Sequence, residues 1–528
     1  MIEKNKVSIY LIKEGIKEEI IIKDYNSFKE NDEYYNHKKI IFDQTKTAFY
    51  LDSKNSKPTW IRSFYNNNPR FNKIYTSNAK LVLLVKIHDP YENKIRIFAI
   101  TQGHGKSLLT DNVIENNFGL KILLNTVNRA DLRKINRTTV AGNLKATNEQ
   151  LPLTGAIDEF GIDIDRDLVT TITAKIKKDP WFVGMITGGD ILNVSAKVDL
   201  TNIEEFLLYC IEKYHSDSYK TDFGWIDNIS HVKDKVLLNE LDKILVENLN
   251  SNENKFGIAV PEIIDWIDFD GFQIAGNPSK LDDLSIDELK NSFKNSLVDS
   301  TQLKSKYVTI VDTNGEKHGP GWNTYRCIFG EIEYNGHDYC INNGKWYCID
   351  NNFKEKIIND YNSTEISQIN FDIYQHKTEN LYSTEFCKNH NEQFICLDKK
   401  NVMYGGGHSQ VEICDILSKS NELIHIKPYS SSSTLSHLFN QGLVSIDLIM
   451  HDDDFLKSAN KIIEEENPNY LINDSNRNDM KVVFAIAHTK GDSLPEIPFF
   501  SKVALKHVKK RIKEMNGKIE IKRINRVK

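Results

Sequence analysis

Two short apolar segments in the C-terminal part of the chain carry the residue types with the most chemistry in them. The first reads Val411-Glu412-Ile413-Cys414-Asp415-Ile416; a polar turn follows, and the second reads Leu423-Ile424-His425-Ile426-Lys427. As neighbouring strands they place Asp415 at the end of one, with His425 and Lys427, two residues apart, on a common face of the other. A carboxylate on one strand and a lysine on the next suit hydrolysis of a phosphodiester. The acid holds Mg²⁺ or Mn²⁺, while metal and lysine together favour a hydroxide nucleophile and oppose charge on the pentavalent phosphate. Asp415 is the expected metal ligand, joined by Glu412 or His425. In a regular strand Glu412 faces away from Asp415 and needs a bulge to reach it. Glu385, in the preceding helical segment, is the other candidate acid. A structural hairpin with a buried Lys–Asp pair is the competing reading.

These side chains need elements to hold them. Ser430-Ser431-Ser432-Ser433-Thr434 supplies hydroxyls and a cap for a helix from about 435 to 450. On it Leu435, Leu438, Phe439, Gly442 and Ile446 share a packing face, leaving His437 and Gln441, four apart, on a polar one. Asp415, His425, Lys427 and Gln441 form the expected catalytic set; Ser432, Ser433 and His437 are expected to meet phosphate. A β-α-β unit follows: a strand over 480–487, a helix to about 515 and a strand over 518–522. In that helix Leu505, Val508, Ile512 and Met515 recur at core spacing, and Lys502, Lys506, Lys509 and Lys513 line another face. From 502 to 528 there are eleven Lys and Arg against Glu514 and Glu520. Such a basic stripe suits a DNA or RNA backbone.

Other motifs read more plainly. Gly103-His104-Gly105-Lys106-Ser107 resembles the end of a phosphate-binding loop, but the first glycine of that pattern is replaced by Ile100, so a tight turn is expected. In Asp163-Ile164-Asp165-Arg166-Asp167 the residues that a calcium loop requires as glycine and glutamate are Leu168 and Ala174. Gly405-Gly406-Gly407-His408-Ser409 lacks the serine-hydrolase elbow. The acids after His451 read as favourable to a helix N-terminus.

At 528 residues the chain has room for more than one domain without disulfide staples. Its 68 Lys and Arg against 74 Asp and Glu, net −6, exclude a polycation or an acidic disordered protein. Seven cysteines with no C-x-x-C pair point to free thiols. No apolar run is long enough for a membrane helix, and the start leads into a strand pattern rather than a signal peptide; we expect no membrane association and a cytoplasmic location. Short strands dominate to about residue 101. Helical spacing marks 108–127, 202–215, 227–249 and 281–297. A change of texture near 295–305 divides an N-terminal region, 1–300, expected to sense a target or partner, from a domain over 301–528.

The Asp415 strand, the Lys427 strand and the helix bearing Gln441 resemble the PD-(D/E)xK restriction-endonuclease-like superfamily, with His425 standing where that family has glutamate. The whole chain is similar to a sporadically distributed family of uncharacterised prokaryotic proteins from mobile and phage-defence loci. That likeness runs through Thr47-Ala48-Phe49-Tyr50-Leu51, Lys57-Pro58-Thr59-Trp60, Gly103-His104-Gly105, Asn117-Phe118-Gly119-Leu120-Lys121 and Phe223-Gly224-Trp225-Ile226-Asp227. It continues through Glu412-Ile413-Cys414-Asp415, Leu435-Ser436-His437-Leu438-Phe439-Asn440-Gln441-Gly442 and Pro498-Phe499-Phe500-Ser501. The resemblances imply a mixed α/β protein, an N-terminal α+β region followed by an endonuclease-like α/β domain. They also imply an antiviral-defence setting and a Mg²⁺- or Mn²⁺-dependent nuclease acting on DNA or RNA. A defence-system partner protein and a homo-oligomer are further expectations. The alternative is a non-catalytic nucleic-acid-binding or scaffold protein with a degenerate core.

Overall fold

The computed structural model describes the chain except residues 1–3, 31–36, 53–56, 58–60, 62–64, 66–67, 72, 76–78, 111–112, 141–144, 153–159, 161, 252–254, 265–268, 278, 294–297, 314, 405–408, 430–431 and 528. The glycine-rich run at 405–408, the serines at 430–431 and residues 58–60 of the N-terminal motif therefore lie outside the described residues. The fold is mixed α/β, and the chain divides into two units. The first comprises 1–137, 147–162 and 169–226; the second comprises 138–146, 163–168 and 227–528. The change of texture near residue 300 falls inside the second unit.

The first unit is built on an eleven-stranded sheet. Its strands are β1 (Asn5–Leu11), β2 (Lys29–Glu30), β3 (His37–Ile41), β4 (Lys46–Asp52), β5 (Ala79–Asp89), β6 (Lys94–Gly103), β7 (Leu132–Thr139), β8 (Lys145–Gln150), β9 (Asp167–Lys175), β10 (Phe182–Gly188) and β11 (Leu192–Ala196). A nearly continuous apolar run rich in Val and Ile makes β5 and β6 long strands that pair along almost their whole length. The glycines of 103–107 serve that pairing: a Cβ on Gly103 would meet the Ala79 carbonyl at 2.2 Å, and one on Gly105 the Leu81 carbonyl at 2.1 Å. Among the described residues of the helix expected over 108–127, α1 (Phe118–Leu124) forms, while Leu109 and Ile114 bridge to Ile22 and Ile12. The second expected helix is α2 (Ile203–His215), with Ile203, Phe206, Leu207, Cys210 and Ile211 buried.

In the second unit, helix formation expected from 227 is delayed to α3 (Lys235–Asn250), because Asp234 caps it by accepting from the amides of Val236 and Leu237. Among the described residues of the expected 281–297 helix, Ile286–Asn291 is helical, and Leu281 pairs with Phe272 instead. Two sheets follow in sequence: β12 (Ile229–His231), β13 (Phe256–Ile258), β17 (Ile328–Tyr334), β18 (His337–Asn342) and β19 (Lys345–Ile349) form one, and β14 (Phe269–Ile274), β15 (Tyr307–Asp312) and β16 (Lys317–Asn323) the other. Helix α4 spans Asn351–Asn362.

The site sheet runs β20 (Phe394–Cys396), β23 (Ile416–Ser418), β24 (Glu422–Pro428), β25 (Lys481–His488) and β26 (Lys518–Asn525) in that spatial order. Between β20 and β23 the chain makes a separate ribbon of β21 (Asn401–Tyr404) and β22 (Ser409–Glu412). The β20–β23 and β23–β24 pairs are antiparallel, whereas β24–β25 and β25–β26 are parallel. Parallel neighbours require crossovers, supplied by α6 (Ser432–His451) with α7 (Asp453–Glu466), and by α8 (Phe499–Glu514). Both faces of the sheet are buried, so β25 is a nearly unbroken apolar run. Leu435, Leu438, Phe439 and Ile446 of α6 and Leu505, Val508 and Ile512 of α8 share one core with Leu423, Val482, Phe484 and Ile521. Tyr382, Phe386 and Cys387 of α5 (Glu379–Asn389) share the opposite core with Ile424, Ile426, Val483 and Ala485. Gly442 lets α6 pack closely on the sheet: a Cβ there would lie 2.5 Å from the Phe484 ring. Asp452 caps α7 through the Phe455 amide at 2.8 Å, as the acids after His451 suggested. Among the described residues, no helix is long and apolar enough to cross a membrane.

Candidate metal centre

The segment from 411 to 416 is not one strand. It ends β22 at Glu412, crosses an irregular link at Ile413 and Cys414, and re-enters a sheet at Ile416. That break does the work expected of a bulge, turning Glu412 and Asp415 toward each other. Asp415 is 7% exposed and fixed on both sides: its amide donates to the Ile424 carbonyl at 3.1 Å, and its Oδ2 accepts from the Ile426 amide at 2.6 Å. The carboxyl of Glu412 accepts from the Lys399 amide at 3.1 Å and from the Gln441 side-chain amide at 3.2 Å. The third acid is Asp398, in the turn after β20. Its Oδ2 is buried without a hydrogen-bond partner. One carboxylate oxygen from each of Asp398, Glu412 and Asp415 lies within 4.8 Å of the others, close enough for all three to hold one cation.

The electrostatics follow from that crowding. Burial, then the charge of Glu412, pushes the Asp415 carboxyl well above the usual carboxylate range; Asp398 and Glu379 add to the effect and the Ile426 amide opposes it. Lys427 ion-pairs at 2.7 Å with Glu379, the first residue of α5, whose charge also reaches Asp415. Gln441 positions Glu412 from α6, while His437 on the same helix is exposed. Ser432 and Ser433 open that helix.

His425 stands apart. It is 1% exposed, its Nε2 has no hydrogen-bond partner, and its ring lies 6.2 Å from that of Phe484, its register neighbour on β25. Burial lowers its pKa to about 3, which keeps the imidazole neutral. It is not a member of the carboxylate cluster. Glu385 is also elsewhere, paired with His376 at 2.6 Å. Sequence reasoning missed Asp398 and Glu379. Asp398 sits in a polar Asp-Lys-Lys-Asn turn and Glu379 one residue after the helix cap Thr378, positions whose local roles hid them.

The lysine stripe on α8 is mostly engaged inside its own unit. Lys509 is 6% exposed, donating to the Asp360 carbonyl at 2.7 Å and pairing with its carboxylate at 3.1 Å. Lys506 pairs with Asp165 at 2.6 Å, and Lys502 lies over the Tyr361 ring, where burial lowers its pKa. Lys513 is exposed. The expected solvent-facing stripe is therefore a packing face at three of its four positions, because α4 and the 163–168 segment supply the counter-charges.

A second cluster, Asp89, Glu92 and His215, lies in the first unit. Asp89 already accepts from the amides of Tyr91 and Glu92 and from His215 at 2.8 Å, so it closes the β5–β6 turn. Neither cluster among the described residues contains a cysteine.

The family of unknown function DUF6119 has a model that matches residues 7–525. The chain belongs to that family. The match spans segments of both units, the carboxylate cluster included. No curated protein and no solved structure matches the chain.

Proposed function

We propose that this DUF6119 chain is a metal-dependent phosphodiesterase of the nuclease type, with Asp398, Glu412 and Asp415 holding Mg²⁺ or Mn²⁺. The observation that carries the reading is the convergence of these three carboxylates beside the Lys427–Glu379 pair. The cation would lower the pKa of a bound water and neutralise the developing phosphate charge, while Lys427 supplies a second positive charge. Gln441 orients Glu412. The order of elements supports a restriction-endonuclease-like reading of this part: a helix bearing Glu379, an antiparallel pair in which Asp415 immediately precedes one strand and Lys427 lies on the other, then a crossover helix bearing Gln441 into a parallel strand. His425 in the place of the family's glutamate is accommodated by Glu412 and Asp398, which supply the missing acids. We read the setting as antiviral defence and the substrate as DNA or RNA, on the motif resemblance alone.

Purified full-length protein incubated with Mn²⁺ and nucleic acid tests the reading. Cleavage should fall at least about 100-fold in Asp415→Ala and in Lys427→Ala. Cleavage indifferent to both changes overturns it. Salt-sensitive nucleic-acid binding without metal-dependent turnover would favour a non-catalytic binding or scaffold role.

A further inference from the structure

Cys387 and Cys396 flank the turn that joins α5 to β20. The helix ends at Asn389, the His390 carbonyl accepts from the amides of Gln393 and Phe394, and the strand begins at once. This tight return lays the strand back against the helix, with the Phe386 and Phe394 rings 5.2 Å apart. Cys396 thereby meets the face of α5 that carries Thr384 and Cys387, three residues apart and so on successive turns. Its Sγ lies 3.9 Å from Thr384 Oγ1, and a hydrogen bond joins it to the Cys387 thiol. From that contact the two sulfurs have only a short approach to the disulfide bond length of about 2 Å.

The two cysteines differ in exposure. Cys387 is 7% exposed and sits in the core with Tyr382 and Phe386, whereas Cys396 is half-buried at the margin of that core. A small oxidant therefore reaches Cys396 first, with a second thiol already against it. Cys348, the other half-buried cysteine, instead donates its thiol to the Ile349 carbonyl at 3.6 Å.

We propose that Cys387 and Cys396 are a modification site, a thiol pair that a hydroperoxide converts reversibly to a disulfide. The Cys396 sulfur attacks one peroxide oxygen, the O–O bond breaks, and the other oxygen leaves as water or an alcohol carrying the thiol proton; a sulfenic acid remains. The Cys387 sulfur then attacks that of Cys396, the S–O bond breaks, and the hydroxyl leaves as water with the Cys387 proton. Two thiols lose two electrons and the hydroperoxide gains them. The new bond ties the helix that begins at Glu379 to the strand that runs on to Asp398, and its formation is independent of any metal at the carboxylate cluster.

Full-length protein is treated with hydrogen peroxide, alkylated and digested with trypsin without reductant. Trypsin cuts after Lys377, Lys388 and Lys399, so the two cysteines fall in separate peptides, 378–388 and 389–399. These should appear joined, the free-thiol count should fall from seven to five, and dithiothreitol should reverse both changes. In Cys387→Ser, peroxide should leave Cys396 as a sulfenic acid that dimedone captures, while Cys396→Ser should keep its six thiols. A wild-type count that stays at seven, a loss of thiols without the joined peptides, or a link from Cys396 to Cys414 would overturn the pair. Absence of dimedone on Cys396 in the Cys387→Ser protein would overturn its place as the first sulfur oxidised.

Discussion

Three carboxylates within 4.8 Å of one another repel, and the fold tolerates the repulsion by raising the pKa of the most buried of them, Asp415. His425, on the next strand, shows the opposite polarity of the same physics. Burial lowers its pKa to about 3, well below its value in an unfolded chain, so the unfolded state binds an extra proton as soon as pH falls through about 6.5. The stability that neutral His425 contributes is complete above about pH 6.5 and is lost as pH drops toward 3. Urea titrations between pH 6.5 and 4.5 should show wild type losing up to about 1.4 kcal/mol per pH unit more than His425→Leu. The difference between the two proteins isolates the imidazole from the titration of Asp415. A pH dependence identical in the two would show that the imidazole does not drive it.

The elements account for what could be read in advance. Periodicity placed α6, β25, α8 and β26 well, because these are long segments whose apolar faces are fixed by two crossovers onto one sheet. It also identified Asp415, Glu412 and Gln441, which the structure brings together. It did not show the break at Ile413 and Cys414, since both residues are as apolar as a continuous strand would need. Nor did it reveal Asp398, whose convergence depends on a long-range sheet and not on local spacing. The α8 stripe misled for a related reason: lysines at helical spacing look identical whether water or Asp360 receives them. Lys509→Glu should therefore destabilise the protein by about 1–3 kcal/mol in urea titrations, because it buries an acid against Asp360. Lys513→Glu, on the exposed face, should stay within about 0.5 kcal/mol of wild type. Equal effects would contradict the packing role of the stripe.

At the scale of the whole molecule, the net charge of −6 is a poor guide to partners, because much of the C-terminal positive charge is spent on internal contacts. The second unit is not a contiguous stretch: residues 163–168 belong to it, through Asp165 on Lys506, Asp163 on His507 at 2.9 Å, and Leu168 in the core with Phe499, Phe500 and Val503. A fragment of residues 227–528 lacks those contacts and should melt several degrees below the second unit in the intact chain, by scanning calorimetry. An unchanged midpoint would show that the 163–168 segment contributes nothing to that unit.

The chain passes between the two units five times, at 137/138, 146/147, 162/163, 168/169 and 226/227. Proteins assembled from modules joined by one linker can be recombined by a single crossover in the gene, each half carrying its own core. Here a crossover at any one of these points separates segments that belong to the same core. An exchange at any one of them carries most of one core without the rest, so it should cost stability even where each half still folds, as the 227–528 fragment is expected to do.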